Sequence, residues 1–172
     1  KEGLTHMDIF EFALEKEKLA HETYKQLAEQ ATSNSLKGIL TLLADEELQH
    51  VDMVRALQQN KPVDLAPTEL LGEAKKVFEK IHRGGEKFNF NITESELYNK
   101  AKKMEAEARD YYQAKADETA DAGLKSILIK LAAEEQKHYV LVDNLCRFVE
   151  RPQNYLEDAE FTHLDNYAEE PF

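Results

Sequence analysis

Between residues 36 and 57 apolar side chains return every three or four positions, at Leu36, Leu40, Leu43, Val54 and Leu57. The same spacing recurs at Leu124, Leu128, Leu131, Val142 and Leu145. A period near 3.6 with one apolar stripe is the signature of an amphipathic α-helix. Ile9, Ala13, Ala20, Tyr24 and Leu27 trace a third stripe, and Leu97, Ala101, Ala108 and Tyr112 a fourth. Four packed helices are predicted, and no segment alternates with the period of a strand.

The four helices form two copies of one unit. Shifted by 88 positions without a gap, residues 5–57 match residues 93–145 with 17 identities over 53 positions, where roughly three or four would arise from average composition. Each copy reads as a helical hairpin. Thr5 with Asp8, and Thr93 with Glu96, place a capping side chain and an acid at the first helix of each copy, satisfying free N–H groups and favouring the helix dipole. These first helices are expected to run to about Ala31 and Ala120, with Ser33 and Asp121 capping the second helices after short turns.

The linker 58–92 contains Pro62, Pro67, Gly72, Gly84 and Gly85, with a helical stretch expected from Thr68 to His82. Two hairpins (5–57 and 93–145) joined by one long crossover make the ferritin-like variant of an all-α four-helix bundle, here filling residues 1–150. Pro152 ends the last helix. The tail 151–172, with Tyr155, Phe161, Tyr167 and Phe172, is expected to pack on the bundle or on a second subunit, since its aromatics would otherwise stay exposed.

Composition narrows the functions. A chain of 172 residues supports one domain with a substantial core. Hydrophobic residues at 42% and charged residues at 33%, with six Gly, four Pro and no Trp, suit helices better than a sandwich or barrel. Lys and Arg number 22 against 34 Asp and Glu, a net charge of −12, and no basic run follows a phosphate backbone, so nucleic acid is not an expected partner. No apolar run reaches the roughly 18 residues of a spanning helix, and Lys1 to Phe12 lack a secretory apolar region. A cytoplasmic protein without a membrane partner is expected. Cys146 is the only cysteine; it forms neither an intrachain disulfide nor a paired-cysteine metal site and reads as a small core residue.

The stripes are interrupted by polar residues at matching places. Glu17 and Glu105 break the first helix of each copy, and Glu47 with His50, and Glu135 with His138, break the second. Four carboxylates desolvated together do not all stay ionised without compensation, because each buried ion costs several kcal/mol, and no Lys or Arg occupies these stripes. Two divalent cations would neutralise the four charges while neutral imidazoles supply nitrogen ligands. Residues i and i+3 adjoin on a helix, so each Glu–His pair reaches one metal region.

Spacing alone is a weak signal, since Glu79/His82 and Glu160/His163 fit it too. Those two pairs lie outside the repeat and are read as surface or tail positions, and His6 and His21 as solvent-facing. Tyr24 and Tyr112, seven residues after Glu17 and Glu105, are either core or hydrogen-bond donors to a metal-bound carboxylate. The donor set accepts iron, manganese or zinc.

The elements Ala13-x3-Glu17-x6-Tyr24, Glu47-x2-His50, Ala101-x3-Glu105-x6-Tyr112 and Glu135-x2-His138 together resemble the rubrerythrin-like branch of the ferritin-like superfamily. The resemblance implies a carboxylate-bridged pair of iron ions used to reduce hydrogen peroxide or oxygen, or to oxidise ferrous iron. Rubrerythrins carry a further Glu three residues after the third-helix ligand, where this chain has Ala108, and a four-cysteine rubredoxin-like domain that one Cys does not build. The chain is thus similar to the shorter rubrerythrin-related proteins. Its expected partners are a small oxidant, a separate electron-donor protein and a second copy in a homodimer. Two other classes remain at this point: metal handling without turnover, and a helical adaptor that holds no metal.

Overall fold

The structure, a computed structural model, describes residues 6–168. Four long helices make the bundle: α1 (His6–Gln30), α2 (Asn34–Gln58), α4 (Ile92–Glu118) and α5 (Ala122–Glu150). The crossover carries α3 (Leu70–Gly84), and the tail forms α6 (Pro152–Glu157) followed by a 3₁₀ segment, Glu160–Ala168. Among the described residues there is no strand and no helix long and apolar enough to cross a membrane. Thr5 and Phe172, and the side chains of His6, Asp8 and Tyr167, lie outside the described residues.

Local chemistry accounts for most helix ends. Ser33 Oγ accepts from the Leu36 N–H at 3.3 Å and Asp121 Oδ1 from the Leu124 N–H at 3.1 Å, each serving an N–H that the first turn leaves unpaired. The cap of α4 differs from expectation. Asn91, extended at φ −87° and ψ 170°, accepts from the Glu94 N–H at 2.8 Å, so the helix starts two residues before the site Thr93 would have capped. Asn ranks with the best N-caps, above Thr, and wins here by coming first in the chain. Helix α2 ends on Asn60 at φ +54°, with Lys61 N–H bonded to the Ala56 carbonyl at 2.9 Å and Asn60 N–H to that of Leu57 at 3.1 Å. This is the left-handed termination usually given to Gly, and Gly itself performs it at Gly85, φ +63°, after α3.

Helix α1 pairs with α2, α4 with α5, and α1 with α4. Helix α3 lies against α2 and α5, while the 3₁₀ segment covers α3 and α5. The core divides into two apolar clusters. One is built around Tyr24, Leu40, Leu43, Leu141 and Leu145 and extends into α3 and the tail. The other is built around Ala13, Val51, Val54, Tyr112, Leu128 and Leu131. The polar layer of Glu and His lies between them along each helix.

The tail packs on its own bundle. Phe78 of α3, fully buried, meets the rings of Phe148, Tyr155 and Phe161 at centroid distances of 5.5, 5.1 and 6.2 Å. Aromatic pairs at such separations contribute about 0.5–1.5 kcal/mol beyond area burial, which explains why the tail needs no second subunit to cover Tyr155 and Phe161. Cys146 is half-buried against this cluster. His21, expected in solvent, is instead half-buried with Nδ1 2.7 Å from the Ala44 carbonyl: it faces α2 across the hairpin, where that carbonyl gives it a partner.

Candidate metal centre

Each helix brings its polar residues to one level. Glu17 comes from α1, Glu47 and His50 from α2, Glu105 from α4, and Glu135 and His138 from α5; all six are between 0 and 2% exposed. Four of them, Glu47, His50, Glu135 and His138, place one potential ligand atom apiece within 4.8 Å of each other.

The arrangement has two related halves. His50 Nδ1 lies 3.0 Å from Glu135 Oε1, 3.5 Å from Glu17 Oε2 and 3.6 Å from Glu47 Oε2. His138 Nδ1 lies 3.0 Å from Glu47 Oε1, 3.7 Å from Glu105 Oε1 and 3.5 Å from Glu135 Oε2. Each imidazole therefore has the first-helix Glu of its own hairpin beside it and shares Glu47 and Glu135 with the other. The two rings stack at 5.2 Å with planes 9° apart. Reciprocal contacts, His50 to Glu135 and His138 to Glu47, require α2 and α5 to run antiparallel.

Tyr24 and Tyr112 belong to the same layer. Tyr24 donates its hydroxyl to Glu105 Oε1, and Tyr112 to Glu17 Oε1. Each tyrosine serves the carboxylate of the other hairpin, because α1 and α4 are antiparallel and residue 24 on one lies level with residue 105 on the other. This fixes the outer carboxylates from behind.

Two atoms show what the layer lacks among protein groups. Glu47 Oε2 and Glu135 Oε2 are buried without a hydrogen-bond partner, a condition that costs about 1–3 kcal/mol each for a polar atom and more for a charged one. Both belong to the shared carboxylates. A cation between the halves would satisfy them, and the spacing suits one: ligand atoms about 2.1 Å from a common ion and at right angles to it stand about 3.0 Å apart. The donors present fit a metal site, with Glu47, His50, Glu135 and His138 at its centre.

Without such ions the electrostatics are strained. Burial, then the charges of Glu135 and Glu47, push the Glu17 carboxyl well above its ordinary range, and burial, Glu47 and Glu135 do the same to Glu105. Burial also works against an ionised Glu47 or Glu135. The two histidines outweigh it, holding Glu47 down to about 2 and Glu135 well below the usual carboxylate range. For His50 and His138 burial disfavours the imidazolium, but the surrounding carboxylates prevail and raise both well above the ordinary value. All of these shifts follow from packing four carboxylates and two imidazoles into one buried layer.

A narrow cleft of about 50 Å³ reaches the layer between α1 and α4, lined by Glu17, Ala20, Glu47, Glu105, Ala108 and Glu135, with exposed Leu19 and Glu107 toward solvent. Ala20 and Ala108 are equivalent positions of the repeat, so a small side chain keeps each wall open. The larger hollow of about 640 Å³ beside Phe10, Leu57, Lys61 and Leu124 contains none of the six residues. Glu79, His82, Glu160 and His163 also stand outside the layer; the His82 ring rests 6.0 Å from that of Phe161.

Sequence reading missed the acids that precede the repeated motifs. Glu46 Oε2 lies 2.7 Å from His138 Nε2, and Glu134 is buried 3.4 Å from buried Lys137 Nζ. The signal was present, since Glu46 and Glu134 are one of the 17 identities of the repeat, but both fall outside the apolar stripes in which the interruptions were sought.

A family model described as rubrerythrin matches residues 8–146, a span running from α1 into α5 and taking in every residue of the layer. No curated protein and no solved structure matches the chain.

Proposed function

This chain belongs to the rubrerythrin family, and on that premise we propose that it is a non-haem di-iron oxidoreductase reducing hydrogen peroxide or oxygen. The observation that supports this reading most is the pair of buried, unpartnered oxygens, Glu47 Oε2 and Glu135 Oε2, at the centre of a six-donor layer. Glu17, His50, Glu105 and His138 would each hold one ion, with Glu47 and Glu135 shared. When bound, an iron pair supplies Lewis acidity and two electrons.

The protein's own groups set the conditions of the reaction. Tyr24 and Tyr112 hold the outer carboxylates in place through their hydroxyl protons. The cleft between Ala20 and Ala108 is narrow, about 50 Å³, which suits a small oxidant such as peroxide or oxygen. Peroxide becomes two waters on taking two electrons and two protons. The electrons come from a reductant outside the bundle, whose described residues hold a single cysteine, Cys146. With a methyl group at Ala108 offering no further donor, the same six residues would hold the ions in both oxidation states; structures of the two forms with His50 or His138 released in one would contradict this.

A second reading, iron handling without peroxide turnover, draws support from Glu17, Glu47, Glu105 and Glu135, four acids at the inner end of the cleft, with Lys16 paired to Glu107 toward its mouth. Iron-loaded protein supplied with steady reductant separates the two. Sustained peroxide consumption supports the oxidoreductase. Ferrous oxidation that stops after one filling, with no peroxide turnover, favours iron handling.

A further inference from the structure

The repeat places an acid immediately before each Glu-x-x-His, yet the two acids are used differently. Glu46 Oε2 stands 2.7 Å from His138 Nε2, the nitrogen opposite the Nδ1 that faces Glu47 Oε1 at 3.0 Å. The second oxygen of Glu46 accepts from the Thr68 hydroxyl. Thr68 is in turn tied to the start of α3, its Oγ1 accepting from the Leu70 N–H at 3.0 Å. Glu134, the repeat partner of Glu46, pairs instead with Lys137, and among the described residues His50 is held through Nδ1 alone.

We propose that Glu46, moored by Thr68, is a positioning residue that makes the two halves of the centre unequal, so that the Glu105–His138 half takes its ion first and holds it more tightly. The reason is the proton on the imidazole. A carboxylate at Nε2 keeps the proton on that nitrogen, leaves the Nδ1 lone pair toward the ions and stops the ring from turning. His50 has no such restraint and must settle its tautomer and orientation on binding. The inequality follows from the crossover and from the repeat itself: Thr68 of the crossover reaches Glu46, whereas Glu134, which lies by the crossover's Leu65 and Pro67, is paired with Lys137, where the first hairpin has Gln49.

This inference rests on the two-ion reading and is tested on the metal-free full chain by titrating cobalt(II), with calorimetry for affinity and visible absorption for the number of coordinated ions. The wild type is expected to bind two ions in two resolved steps. Glu46→Gln, which keeps an acceptor oxygen but removes the charge, and Glu46→Ala, which removes both, should weaken the tighter step by about 10- to 100-fold, Ala more than Gln, with the weaker step unchanged and the total still two. Thr68→Val, which leaves Glu46 in place, should weaken the same step by less, and gives an independent arm if a Glu46 variant fails to fold. Two equal steps in the wild type, or Glu46→Gln weakening both steps alike or neither, would overturn the inequality while the two-ion reading stood. No cobalt binding by the wild type would overturn that reading itself.

Discussion

The first and second hairpins carry the same ligands, and their surroundings show which features metal binding demands and which topology imposes. Glu17 and Glu105, Glu47 and Glu135, His50 and His138, and Tyr24 and Tyr112 are equivalent in sequence and in contacts. On the proposed two-ion reading that symmetry is what a pair of like ions would require, since each half would meet the same charge. One step outward it fails: Glu46 reaches His138 and Thr68, whereas Glu134 reaches Lys137. Two things cause this: the crossover supplies Thr68 to Glu46, and the repeat itself differs where Lys137 stands at the position of Gln49. The ligands keep the symmetry, while the crossover and one changed repeat position break it.

Removing the ions should damage both hairpins alike and gives the largest effect. Two ions, each at about a hundred times its dissociation constant, contribute about 5 kcal/mol, which a chelator removes. The loss should depend on pH. In the metal-free protein His50 and His138 have pKa values raised above the ordinary 6.5, so the folded state holds protons that the unfolded chain releases. Their stabilisation is complete below about pH 6.5 and is lost as pH rises toward the folded values. Glu17 and Glu105, also raised, act in the same direction from about pH 4.5, opposed by the lowered Glu47 and Glu135, whose stabilisation is present above that pH. Melting curves of chelated protein should therefore fall from pH 6.5 to 9 while those of loaded protein do not. A chelated sample that melts no lower than the loaded one at neutral pH would break the comparison at its symmetric part.

Phe78→Ala attacks the asymmetric part. It empties a fully buried site among Phe148, Tyr155 and Phe161, at an expected cost of about 3–5 kcal/mol. Denaturant unfolding should register this loss, and metal affinity should weaken mainly at the His138 half, because Thr68 is moored at the start of α3. Equal weakening of both halves would count against that link.

A smaller effect sharpens the symmetric part. Tyr24→Phe and Tyr112→Phe each remove one hydroxyl donor to a buried carboxylate, a bond worth about 1.5–3 kcal/mol. The two variants should lose stability equally, since their contacts are reciprocal. A clear difference in unfolding free energy between them would mean that asymmetry reaches the outer carboxylates.

Most of this architecture was legible before the structure. The stripes placed Leu36 to Leu57 and Leu124 to Leu145 on helices, Ser33 and Asp121 marked their starts, and the six interruptions lie in one layer because a 3.6-residue period and a repeat leave few other ways to stack them. The stretch Thr68 to His82 lies close to the observed Leu70–Gly84. What escaped depended on contacts distant in sequence. Asn91 outcompeted Thr93 as a cap, His21 found a carbonyl 23 residues away, and Glu46 met His138 at a separation of 92 residues. A periodic pattern reports which face a residue occupies, not which partner waits there.

The central claim, a pair of metal ions held by six residues, is tested most directly by the metal content of protein purified without added metal, wild type against the Glu47→Ala, Glu135→Ala double variant. These two carboxylates are shared by both halves and carry the two unpartnered oxygens. The account expects about two ions per wild-type chain and none or nearly none in the double variant. Binding that survives the double change unaltered would contradict it.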